Sequence, residues 1–215
     1  MSFEDLVKKS IYGDFKNFGI VILVLIPIRI IAGIDLIEVY MDLILIGISI
    51  AIFYIFYEIN KIVANKKILL FPLNLILAHI IYFVANIMDK YILNSSISEL
   101  IGFLNTLVIF LFTMTAYIIH IYGWTIFRNY FGKNNKILPK NYEENIIGGS
   151  QNIILAIGLR IAISILSLFL NIPYADIFFI ISMLILLLII GSILLYVIGY
   201  IRLSSFRKID RNKSY

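Results

Sequence analysis

Ile177 to Ile201 is the stretch that most restricts what this chain can become: 25 consecutive positions without a formally charged side chain. A helix needs about 20 apolar residues to cross the hydrocarbon layer of a bilayer, roughly 30 Å thick. A soluble core helix rarely needs so long an uninterrupted apolar surface. The pattern recurs along the 215 residues, of which only 14% are charged; a soluble domain has about a quarter. The expected fold is an all-α, polytopic membrane bundle.

Six transmembrane helices are predicted, at about 18–34, 37–57, 68–88, 100–123, 151–170 and 176–201. Residues 1–17 form an amphipathic N-terminal segment. Phe3, Leu6, Val7, Ile11 and Phe15 share one helical stripe, flanked by Lys8, Lys9 and Lys16. That pattern suits a helix lying in the membrane interface. Residues 18–201 form the bundle, and 202–215 a basic tail. Pro27 and Arg29 interrupt the first apolar run, and no small-residue cleavage site follows it, so an uncleaved first span is expected.

Fifteen of the 18 Lys and Arg residues fall on the side of both termini, while Lys90 alone falls on the other; Arg29 and Arg160 lie within spans. Excess Lys and Arg stays on the cytoplasmic side. Both termini are therefore expected to be cytoplasmic, in the cell membrane. The basic flanks should meet anionic lipid headgroups, and nothing resembles a nucleic-acid surface. Trp124, Phe127, Tyr130 and Phe131 suit an aromatic belt at the interface. The helix of span 4 is expected to continue to about Phe131, with Pro139 starting a short further helix.

The chain has no cysteine, which excludes disulfides and thiol chemistry. No phosphate loop, zinc-protease motif or nucleophile elbow is present. No catalytic constellation, cofactor or metal site is predicted. Asn94-Ser95-Ser96 reads as a chance sequon.

Polar groups are costly in lipid and usually face the bundle interior. Span 3 aligns His79, Tyr82, Asn86 and Asp89 on one face. Span 4 aligns Gly102, Thr106, Thr113, Tyr117, His120 and Trp124. Span 5 aligns Gly149, Asn152, Ala156, Arg160, Ser164, Ser167 and Asn171. Arg29 and Asp42 lie at equal depth, about 9–10 Å from the turn between spans 1 and 2, and are expected to pair. Asp35 and Glu38 lie nearer the surface. Arg160, about 15 Å deep, has no partner in its own hairpin, and His79 lies at similar depth. His120 is expected to be interfacial. Arg29-Ile30 with Tyr40-Met41-Asp42, and Arg160-Ile161 with Tyr174-Ala175-Asp176, outline a weak repeat of helical hairpins.

Arg160, His79, Arg29 and Asp42 are therefore the candidate interior binding residues. They point to transport of a small solute or ion, or an accessory role in it. The alternative is a non-catalytic subunit for assembly, lipid organisation or partner binding.

Overall fold

The computed structural model describes residues 3–31, 38–92, 99–133, 138, 142–168 and 175–209. Asp35, the 94–96 sequon, Pro139, Asn171 and Tyr174 lie outside them, as does the tail from 210.

Six helices account for the described chain: α1 (Phe3–Ile31), α2 (Glu38–Val63), α3 (Leu70–Ile92), α4 (Glu99–Phe127), α5 (Glu143–Leu168) and α6 (Ala175–Ser204). Five, α2 to α6, are long and apolar enough to cross a membrane. At 1.5 Å per residue, α2 with its 26 residues reaches about 39 Å. α1 is as long, but its apolar stretch carries Asp14, Lys16 and Arg29.

Sequence explains the ends. Pro72 sits in the first turn of α3, where its missing N–H costs nothing. α2 stops at Ala64, which adopts a left-handed φ of 53°. Asn65 then caps a short 3-10 turn, Lys66–Leu69, by accepting from the Lys67 backbone N–H. α4 runs on as a π-helical turn, Arg128–Lys133, close to the expected end at Phe131.

Each helix packs on the next, and α6 closes back on α1. The result is a ring of six. Its outer surface is apolar: Phe178, Phe179, Ile180, Leu187, Leu194 and Ile201 are exposed along α6. Such a continuous apolar surface is foreign to a soluble monomer and fits lipid. α6 buries only a narrow stripe, including Ser192, Tyr196, Tyr200 and Leu203.

Two sequence expectations change. Residues 3–15 do not form a separate helix lying in the interface; they continue unbroken into α1. Ile11, Tyr12 and Phe15 are buried, because Phe15 meets Phe56, Phe131 and Phe206 at ring distances of 5.2–6.3 Å. The expected aromatic belt also turns inward. Trp124, Phe127 and Phe131 are 1% or less exposed. With Phe15, Phe18, Phe56, Phe71 and Phe206 they fill the half of the ring where α1 begins, many rings meeting edge-on. Tyr130 stays at the rim and accepts a hydrogen bond from Asn65 Nδ2 at 3.2 Å.

The α5–α6 seam is a close backbone approach. A Cβ added at Gly199 would lie 2.8 Å from the Gly149 carbonyl oxygen, and one at Gly149 would lie 3.0 Å from that of Gly199. Small residues allow this approach, which membrane helices use in place of hydrophobic burial. Ser192 adds a hydrogen bond across the seam, donating to the Ala156 carbonyl at 3.1 Å.

Candidate functional site

Beyond the aromatic fill, the ring is polar inside. A partly open cavity of about 130 Å³ lies there, lined by Arg29, Met41, Asp42, Leu45, Tyr82, Asn86, Thr113, Tyr117, Arg160 and Tyr196. All six helices contribute to it. Arg29 comes from the last turn of α1 and Asp42 from the start of α2. These positions place the cavity toward the end of the ring remote from the start of α1.

The inward stripes of α3 to α5 explain the lining. Tyr82 and Asn86 are four apart on α3, and Thr113 and Tyr117 four apart on α4, so each pair shares a face. Asp89, on the same stripe, is exposed. On α5, Gly149 and Ala156 are buried, and Arg160 continues their face into the cavity. Ser167 is exposed and donates to its own helix at the Ile163 carbonyl.

Arg29 and Asp42 both reach the cavity but do not pair. The Arg29 guanidinium donates through Nη2 to His79 Nε2 at 3.0 Å and lies over the Tyr196 ring, 4.9 Å from its centre. Asp42 Oδ2 accepts from Asn86 Nδ2 at 2.6 Å. The neighbour each one faces is instead on α3 or α6.

The hydrogen bonds around His79 fix its tautomer. The Ser49 hydroxyl has one hydrogen and donates it to the Leu45 carbonyl at 2.8 Å. Ser49 Oγ, 2.8 Å from His79 Nδ1, must therefore accept from Nδ1–H. Arginine can only donate, so His79 Nε2 carries the lone pair that receives Arg29. His79 is thus neutral and holds the guanidinium in place.

His120 corrects another expectation. It is 1% exposed, not interfacial, and its ring lies 5.1 Å from that of His79. The cause is its place on the inward stripe of α4, four residues from Trp124. Among the described residues no third ligating side chain joins the two histidines.

Among the described residues, several polar groups have no protein partner. Tyr82 Oη, Arg29 Nε and His120 Nδ1 are buried and make no hydrogen bond. Arg160 lines the cavity, and among the described residues no hydrogen bond or ion pair engages it. A direct ion pair, Lys61–Glu58 at 2.7 Å, lies on the surface. Sequence reasoning placed Tyr82 and Tyr117 on inward stripes but missed Ser49 and Tyr196. Both sit in apolar runs whose periodicity marks no inner face.

The cavity combines two guanidiniums, one carboxylate and several tyrosine hydroxyls in the middle of an apolar ring. It can order water or hold a small polar solute. No protein family, curated protein or solved structure matches the chain, so the reading rests on the helices themselves, and these are those of a multi-pass membrane protein.

Proposed function

We propose that this membrane protein carries a small solute or ion through the centre of the six-helix ring. The carrying observation is the cavity to which every helix contributes and in which Arg160 has no described protein partner. A charged side chain near mid-membrane costs at least about 2.5–3.5 kcal/mol on insertion scales. A protein that needed only packing would cover it with a counterion. Here it lines the cavity, and no described residue supplies that counterion.

The proposed orientation puts both ends of the chain in the cytoplasm of a cell membrane. Lys61, Lys66, Lys67, Arg128, Arg202 and Arg207 gather at the ring end where α1 begins, as the retention of basic residues at the cytoplasmic face requires. The cavity then faces outward, and the aromatic fill closes the inward side.

The test uses the absence of cysteine. Arg160→Cys gives a protein with one thiol, probed with membrane-impermeant reagents from each side. Labelling from the outer side alone is expected. A folded protein that labels from neither side would leave the second reading, a packing subunit whose polar stripes only join helices.

A further inference from the structure

We infer that the cavity is an oxyanion site, in which Arg160 and Arg29 receive a small carboxylate- or phosphate-type group. The inference rests on the transport reading and names the chemistry of the solute. A guanidinium offers five N–H donors in a planar fork that matches carboxylate and phosphate oxygens. Arg29 directs one nitrogen to His79 and keeps Nε without a partner. Arg160 has no described partner at all, and the Tyr82 hydroxyl, also on the lining, has none either. These are donors waiting for an acceptor.

The charge agrees. Two guanidiniums face one carboxylate, Asp42, whose Oδ2 is already occupied by Asn86. Asp42 forms no ion pair with either arginine, so the lining keeps a formal excess of one positive charge. A cation would meet that excess. A neutral solute would leave that excess uncompensated, whereas an anion neutralises it and satisfies open donors together. Holding Arg29 against neutral His79 and the Tyr196 ring fixes the fork without cancelling its charge. The volume, about 130 Å³, is well above the roughly 10–15 Å³ that one water needs and admits a small oxyanion.

The same group can come from a free anion or from a lipid headgroup, and the experiment separates them. The full chain is placed in phosphatidylcholine nanodiscs and titrated with inorganic phosphate or acetate, with chloride balancing ionic strength. Binding is read by calorimetry and by the unfolding midpoint. A second set of nanodiscs contains phosphatidylglycerol. Saturable binding of phosphate or acetate above the chloride control is expected, weakened about tenfold or more in Arg160→Gln. Ser167→Ala, off the cavity, should bind as the wild type does. If phosphatidylglycerol alone raises the midpoint and Arg160→Gln removes that rise, the oxyanion is a headgroup. Should Arg160→Gln fail to fold, Arg160→Lys keeps the charge but not the fork, and weaker binding is again expected. No saturable response in any arm, or equal binding in a folded Arg160 variant, overturns the inference. If the thiol of Arg160→Cys is nevertheless labelled, the transport reading survives that failure; if no reagent reaches it, both fall.

Discussion

The α5–α6 seam makes a prediction that the structure itself calibrates. Gly149, Gly158 and Gly199 are all helical glycines of one hairpin, and Gly47 is a helical glycine of α2. A Cβ at Gly47 or Gly158 meets nothing within 4 Å. Alanine there gains helix propensity, up to about 1 kcal/mol, at no steric cost. A Cβ at Gly199 meets Ile153 Cγ1 at 2.7 Å and the Gly149 carbonyl oxygen at 2.8 Å. The isoleucine can turn away, but the carbonyl belongs to a helix backbone and moves only if α5 moves.

Subtracting Gly158→Ala from Gly199→Ala cancels the propensity gain and leaves the overpacking cost, about 1–3 kcal/mol. For a chain of this size each kcal/mol shifts the unfolding midpoint by about 2–4 °C. Gly149→Ala should behave alike, since its Cβ would press on Gly199. The double variant should lose less than the sum, by at least about 0.5 kcal/mol, because helices already parted by one methyl have room for the other. Thermal unfolding in one detergent, with all variants side by side, measures this. Equal midpoints for Gly158→Ala and Gly199→Ala, or strict additivity at Gly149 and Gly199, would refute the close backbone approach.

Three further outcomes follow from the fold. Ser49→Ala removes the hydroxyl that accepts from His79 Nδ1–H and leaves the Leu75 carbonyl as its acceptor, and should cost about 0.5–1.5 kcal/mol, whereas His79→Leu strands the Arg29 guanidinium and should cost about 3–5 kcal/mol; the reverse order in detergent unfolding would contradict the assigned tautomer. Ala64→Gly relieves a left-handed backbone and should be neutral or stabilising by up to about 1 kcal/mol, and a clear loss in the same assay would count against that φ. Reporter fusions at the two ends of the chain should both read cytoplasmic; opposite readings would remove one crossing.

Depth and lateral contact were unequally legible in the sequence. Counting residues from a turn set Arg29 and Asp42 level and Arg160 deep, and all three line the one cavity. What a buried group meets depends on how helices rotate and which ones are neighbours, and no single helix records that. Hence Arg29 was assigned to Asp42 although His79 and Tyr196 hold it. The aromatic residues failed differently. Trp124, Phe127 and Phe131 near a helix end suit an interfacial belt and an inner core equally well by composition. They follow His120 on the inward stripe at successive steps of four, three and four residues, and that was the signal that chose the core. Ser49 gave no signal, because one serine within an isoleucine-rich helix has no periodicity.

The two halves of the ring are held together by different forces, and that bears on which could open. Lipid tails are as apolar as phenylalanine, so the aromatic half gains little by leaving lipid. Its cohesion is packing and ring geometry, such as Phe18 on Phe56 at 5.3 Å and 83°, worth about 0.5–1.5 kcal/mol for a pair. Ring contacts of this kind tolerate sliding and re-form in new offsets. The polar half instead depends on directed bonds, from Arg29 through His79 and Ser49 to Leu45, which are lost by small rotations. α5 and α6, joined backbone to backbone at Gly149 and Gly199, would move as one body. The 3-10 turn that ends α6 is tied as closely to α1, where a Cβ at Gly19 would lie 2.5 Å from the Arg207 backbone nitrogen, so α1, α5 and α6 form the side of the ring in which backbones rather than aromatic rings set the spacing.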